Sequence, residues 1–174
     1  MATVYTIGHS TRTLDELVAA LQAHGIRTLV DIRSFPASRR MPWFARESLE
    51  KALPEAGIAY VWEKCLGGRR GKQKIESPNA GLRDQSFRNY ADYMLTAEFH
   101  RAAADVVTMA EQRPTAVMCA ERMFFQCHRM LVSDYLGLHG HEVRHIVDTG
   151  PAKPHRITPE AKLVEDRVIY PGLF

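Results

Sequence analysis

The chain has 174 residues, 45% of them hydrophobic and 25% charged, and a formal net charge of +3. That much apolar material supports one self-sufficient core and excludes a disordered chain, while the lack of any long apolar run argues against a bilayer-spanning helix. Three cysteines, Cys65, Cys119 and Cys127, do not make a secreted disulfide scaffold, and MATVYTIGHS lacks the basic start and apolar middle of a signal peptide, so a reduced, cytoplasmic setting without a membrane partner is expected.

Thr3 to Ile7 reads as a buried strand broken by Gly8. Thr13 with Glu16 three residues on forms a capping-box pattern, and Leu14, Leu17, Val18 and Leu21 share a helical face until Gly25 stops it. Thr28 to Ile32 is a second strand, and its return after a crossover helix predicts a parallel βαβ unit. A loop over 33–44, a short helix over 47–53 and a strand over 58–62 repeat the pattern. Residues 66–86 are rich in Gly, Arg, Lys and Ser and read as a long exposed loop. Helices over 87–95 and 97–111, a strand over 115–119, a helix over 124–138 ended by Gly140 and a last strand over 142–148 complete the core. The expected fold is a single α/β domain over 1–174, a three-layer α/β/α sandwich around a mostly parallel, Rossmann-like sheet of about five strands. Its core covers about 3–148, and 149–174 is an irregular tail that docks on the body or on a neighbouring subunit.

In such sheets ligands bind beyond the carboxyl ends of the strands. Gly8, His9 and Ser10 follow the first strand, Arg33 the second, and Cys119 and Glu121 the fourth, so one cleft can collect them. Gly8-His9-Ser10 can turn backbone N–H groups and side chains toward an anion, or be a locally capped turn. No GxGxxG or Walker A pattern is present, which argues against those standard nucleotide sites. Asp31 and Arg33 point the same way along an alternating strand and are expected to pair. Arg33, Arg39, Arg40 and Arg46 are interleaved with Phe35, Trp43 and Phe44, and Lys64, Arg69, Arg70, Lys72, Lys74 and Arg83 form a second basic loop. Forked cations beside flat rings suit phosphates and bases, although the pI near 8.8 is only mildly basic. Solvated loops with aromatics packed on the core are the plainer alternative.

VMCAERMFFQCHRML, residues 117–131, is the densest chemistry in the chain. Cys119 ends a strand, and Cys127 and His128 are expected in the first turns of the next helix, where the dipole and free N–H groups favour a thiolate. Adjacent helical side chains diverge by about 100°, so His128 is not automatically the base for Cys127. Cys-x₇-Cys-His supplies at most three zinc ligands at no familiar spacing, which makes a metal site a weak reading. Burial as small core residues is the alternative for both thiols, and Cys65 is read as structural. Glu121 can act as an acid or base, hold a sugar hydroxyl, or simply satisfy a helix start.

YTIGHSTR, LVDIRSFPASRRMPWF, LGGRR, FRNYADYM and CAERMFFQCHRMLVSDYL, in that order, resemble the domain of unknown function 488 family from about Val4 to Ile146. The resemblance implies a compact cytoplasmic α/β domain and marks Gly8, His9, Ser10, Asp31, Arg33, Pro36, Ser38, Gly67, Gly68, Cys119, Glu121, Cys127, His128 and Arg129 as signature positions. It implies no activity. Family members carry a proline between Glu121 and the second cysteine, where this chain has Met123-Phe124-Phe125-Gln126. At the level of layout, LVDIR, TAVMCAER and GHEVRHI are also similar to rhodaneses, without the glycine- and serine-rich loop of a persulfide cradle.

The expected function is an enzyme acting on a phosphorylated, nucleotide or nucleic-acid-like substrate. His9, Glu121, Cys119, Cys127 and His128 are the catalytic candidates. Gly8, Ser10, Arg33, Ser38, Arg39, Arg40, Gly67, Gly68, Arg69, Arg70 and Arg129 are the substrate-binding candidates. A nucleic-acid-binding module without catalysis is the main alternative, and thiol, persulfide or metal-dependent chemistry at Cys119, Cys127 and His128 a lesser one. The sequence names no cofactor, no metal and no oligomeric state, and its expected partner is an anionic small molecule or nucleic acid.

Overall fold

The computed structural model of the protein describes residues 1–172. Eight strands and five helices follow one another as β1 (Thr3–Gly8), α1 (Leu14–Ala23), β2 (Thr28–Asp31), α2 (Arg46–Glu55), β3 (Ala59–Trp62), α3 (Gln85–Tyr93), α4 (Ala97–Gln112), β4 (Thr115–Cys119), α5 (Arg129–Leu138), β5 (Glu142–Ile146), β6 (Lys153–Pro154), β7 (Lys162–Val164) and β8 (Arg167–Ile169). The main sheet has the order β3-β2-β4-β1-β5-β6, with β1 to β5 parallel and β6 antiparallel at the edge. The sixth strand is one more than the sequence suggested.

Strand alternation builds two cores, one on each face of this sheet. Ile7, Leu29, Ala116 and Met118 pack against Leu17 and Leu21 of α1 and Leu49 and Leu53 of α2. Val4, Val30 and Val117 face the other way, onto Tyr90, Phe99, Val106, Leu131 and Val132 from α3, α4 and α5. The central strands β2 and β4 are buried along their whole length, which is why their sequences are mostly apolar, while β3 and β5 are partly exposed. The result is the three-layer α/β/α sandwich expected. The capping box of α1 forms as read: the Glu16 N–H donates to Thr13 Oγ1 at 3.1 Å and the Thr13 N–H to Glu16 Oε1 at 2.8 Å.

Two expectations need correction. The helix expected from Phe124 begins only at Arg129; Phe124–Gln126 is a separate 3-10 turn, and Cys127 is extended at φ −145°, ψ 179°. The tail is also more ordered than expected. Lys153–Pro154 extends the sheet, and β7 and β8 form a hairpin whose turn residues Glu165 and Asp166 both have positive φ, as tight hairpin turns require. This tail docks on the body: Tyr170 is fully buried, its hydroxyl donating to Asp134 Oδ2 and its N–H to Asn79 Oδ1, both at 2.8 Å. Leu173 and Phe174, also expected to dock, lie outside the described residues. Among the described residues no helix is long and apolar enough to cross a membrane.

Gly8 fixes how the strand ends meet. The loop after β4 passes so close that a Cβ on Gly8 would fall on the Glu121 carbonyl. His9 and Ser10 then donate backbone N–H groups to the Cys119 and Ala120 carbonyls at 2.9 Å, extending the β1–β4 pairing into the loop. Gly8→Ala is therefore expected to exceed the about 1–3 kcal/mol usual for overpacking, because backbone rather than a flexible side chain must move, and denaturant unfolding measures it.

Candidate functional site

A cleft of about 920 Å³ opens at the carboxyl ends of β2, β4 and β1. His9, Arg33, Ser38, Gly68, Arg69, Arg70, Cys119, Glu121, Cys127 and His128 line it, so ten of the sequence candidates meet in one place. This is where a parallel sheet whose strand order reverses leaves a crevice.

One wall is a rigid ion pair. Asp31 is fully buried and accepts from Arg33 Nη2 at 2.6 Å, from Arg33 Nε at 2.9 Å and from the Tyr60 hydroxyl at 2.5 Å. Arg33 Nη2 also donates to the Phe44 carbonyl at 2.7 Å. Burial works against the Arg33 charge, but the Asp31 carboxylate more than offsets it and holds the guanidinium pKa above its ordinary value. Only Arg33 Nη1 is turned toward His9, 3.4 Å from Nε2. The His9 ring packs on Phe44 with centroids 4.4 Å apart. Its Nδ1 lies 2.9 Å from the Ser10 carbonyl, which can only accept, so Nδ1 carries the proton and Nε2 presents a lone pair. Burial pulls the His9 pKa down to about 4, so the ring is neutral at physiological pH.

The opposite wall holds the two thiols. Cys119 Sγ and Cys127 Sγ are 2.7 Å apart, and the Arg129 N–H at the start of α5 points at Cys127 Sγ from 3.4 Å. The Cys119 thiol, then the neighbouring His128 and Arg129, pull the Cys127 pKa below its ordinary value against the effect of burial. Burial and the Cys127 thiol push the Cys119 pKa the other way, so the pair's negative charge is favoured on Cys127. His128 Nε2 donates to the Ile32 carbonyl at 2.8 Å and its ring packs on Tyr90. Its Nδ1 faces Gly68, where a Cβ would approach that nitrogen to 2.4 Å. Gly67 is likewise pressed against Ser34.

Arg129 lies behind the thiols, only 1% exposed and, among the described residues, without a carboxylate partner. Nη2 donates to the carbonyls of Glu121 and Arg122 at 2.7 and 3.0 Å, clamping the loop between the cysteines, and Nη1 donates to Thr6 Oγ1 at 3.2 Å. The Thr6 hydroxyl is 2.6 Å from His145 Nδ1, His145 Nε2 is 2.8 Å from His155 Nδ1, and His155 Nε2 is 2.7 Å from Asp134 Oδ1. A carboxylate only accepts and a guanidinium donates, so His155 Nε2 donates to Asp134 and Arg129 Nη1 to Thr6, with His145 linking the two ends. Burial, then the neighbouring His155 and Arg129, pull the His145 pKa down to about 3, which keeps that ring neutral. Phe124 stacks on His145 at 3.9 Å, closing the chain off.

Six candidates are not in the cleft lining. Gly8 and Gly67 are points of close backbone approach, and Ser10 is a turn residue at φ 50° whose N–H bonds Ala120. Arg39 and Arg40 are exposed outside the lining, and Arg129 spends its donors on the loop and on Thr6. Within the lining, Arg70 is committed to the Gly67 and Lys64 carbonyls and to the Tyr93 ring, so Arg69, 5.6 Å over Phe35, is the freest cation. Ser38 accepts from the Met41 N–H. Sequence reasoning missed Ser34, Ser86, Phe87, Tyr90 and Gln126 as lining residues, and missed the Thr6–His145–His155–Asp134 chain entirely. FRNYADYM was the only pointer to Phe87 and Tyr90. Among the described residues no group of three or more His, Cys, Asp or Glu is arranged to hold a metal ion.

The fold and site define a doubly wound α/β protein with a polar, thiol-bearing cleft at its strand ends. The chain belongs to the family described as Domain of unknown function DUF488, whose model matches residues 13–136. No curated protein and no solved structure matches it.

Thr6→Val should leave Arg129 Nη1 without its acceptor and loosen the clamp; the midpoint of the alkylation–pH curve at Cys127 is expected to rise, with Thr6→Ser staying near the parent. Acid stability follows from the two neutral histidines. The folded pKa values of His9 and His145 lie below the ordinary 6.5, so the unfolded chain takes up protons first. Their contribution is complete above about pH 6.5 and is lost as pH falls through 4 toward 3. Denaturant midpoints measured across this window should drop, and His9→Asn should flatten part of the slope.

Proposed function

We propose that the protein is a cysteine-dependent enzyme acting on an anionic, nucleotide-like substrate, with Cys127 as the nucleophile. The observation that carries this reading is the environment of the Cys127 sulfur, which opens onto the cleft yet has the Cys119 thiol, a helix-start N–H and the buried Arg129 cation around it. Thiolates are the reactive form of cysteine, and this arrangement favours one near neutral pH. A surface that only binds has no use for such a group.

The rest of the lining supports the substrate class. Arg69 over Phe35 combines a cation with an exposed ring, and Phe87 and Tyr90 add flat surface deeper in. Phosphate oxygens and a base together need that combination. His128 offers an Nδ1 lone pair once Nε2 is tied to Ile32, and exposed Glu121 at the rim can exchange protons with water. Arg39 and Arg40, outside the lining, would serve a longer nucleic-acid strand rather than a mononucleotide.

Iodoacetamide alkylation of the reduced protein across pH tests the nucleophile. Cys127 is expected to react as a thiolate well below pH 8. A nucleoside monophosphate should slow that reaction, and Arg69→Ala should remove the protection. Alkylation that follows an ordinary thiol titration would overturn the reading.

A further inference from the structure

Cys119 has no task in simple nucleophilic attack at Cys127, yet it is the residue placed closest to that sulfur. We infer that Cys119 and Cys127 work as a dithiol couple and give the cleft a further activity, thiol–disulfide exchange with small disulfides that carry carboxylates. The inference rests on Cys127 being the nucleophile of the cleft, as proposed above, and not on nucleotide binding.

Three observations carry it. The sulfurs are in contact at 2.7 Å, and each is held from a different element, Cys119 at the end of β4 in register with Gly8 and Cys127 just before α5. Arg129 ties down the carbonyls of the intervening loop, so the pair does not depend on a chance meeting of two flexible segments. Exposure then sets the order of events. Cys119 is 2% exposed and Cys127 half-buried, so an incoming disulfide meets Cys127 first and Cys119 only afterwards, from behind. Among the described residues, the only hydrogen-bond acceptor at the Cys119 sulfur besides Cys127 is the distant Glu121 carbonyl at 3.7 Å. With Arg33 answered by Asp31, Arg69 and Arg70 face Glu121 as the one lining carboxylate among the described residues, which favours an anionic partner.

The chemistry balances with one disulfide consumed. The Cys127 thiolate attacks one sulfur of R–S–S–R, forming Cys127–S–S–R and releasing R–S⁻. Cys119 then attacks the Cys127 sulfur, its proton leaves with the second R–S–H, and the Cys119–Cys127 disulfide forms. The protein is oxidised by two electrons and the small disulfide is reduced to two thiols. Capping Cys127 removes the negative charge that keeps Cys119 protonated, so the first step prepares the second. A dithiol reductant returns the resting pair.

The test treats the reduced full chain with glutathione disulfide and follows intact mass and peptide maps. The expected product has lost two hydrogens, joins the Cys119 and Cys127 peptides and holds no lasting glutathione. Cys119→Ser, with Cys119→Ala as a second variant in case serine disturbs the core, should instead keep glutathione on Cys127. Cys127→Ser should acquire neither modification. A parent protein that retains glutathione on Cys127, or a Cys127→Ser variant whose Cys119 is modified as fast as the parent, would overturn the couple. If Cys127 alkylates as a thiolate but no internal disulfide forms, only the couple fails. If it does neither, the nucleophile reading fails with it.

Discussion

A single buried guanidinium organises the chemistry of this protein. Arg129 is taken out of water with no carboxylate beside it among the described residues, an arrangement that costs several kcal/mol unless its donors and its charge are answered. The answers come from three sides. Two loop carbonyls take Nη2, the Cys127 sulfur gains from the cation nearby, and a file of three side chains, Thr6, His145 and His155, leads to Asp134. Among the described residues only Nε finds no partner. The path of the loop between the cysteines, the start of α5 and the protonation of the thiols all follow from where that charge had to be placed.

The two walls of the cleft solve the same problem differently. At Asp31 and Arg33 the charges are joined directly, which makes a stiff wall and leaves little of the arginine free. At Arg129 and Asp134 they are separated by Thr6, His145 and His155, which leaves the cation's field free to act on a neighbouring thiol. A direct pair neutralises; a separated pair leaves a local potential. His9 and His145 remain uncharged because each is buried near an arginine that already supplies the positive charge.

Much of this was readable in the chain and some was not. The central strands β2 and β4 announce themselves because burial on both faces demands apolar runs, and α1 because Thr13 and Glu16 cap it locally. The strand-end rule placed His9, Arg33, Cys119 and Glu121 in one cleft from position alone. The start of α5 was misread because Phe124 and Phe125 continue a helical spacing, whereas they form a separate 3-10 turn just after the loop whose Glu121 and Arg122 carbonyls Arg129 holds. Gly8, Gly67 and Gly68 look like a ligand cradle in sequence, but each makes room for a neighbouring part of the chain. The file from Thr6 to Asp134 had no signal at all: its first link joins residues 139 positions apart, and neutral histidines in a core resemble any others.

The tail ties the thiols to a distant part of the fold. Asp134 sits in α5, but His155 and Tyr170, which bond its two oxygens, come from the segment that follows the last parallel strand. Cutting that segment away would take those partners from the carboxylate, and so from the arginine it balances. The tuning of the cysteine loop is in this sense coupled to the docking of a tail that touches neither sulfur.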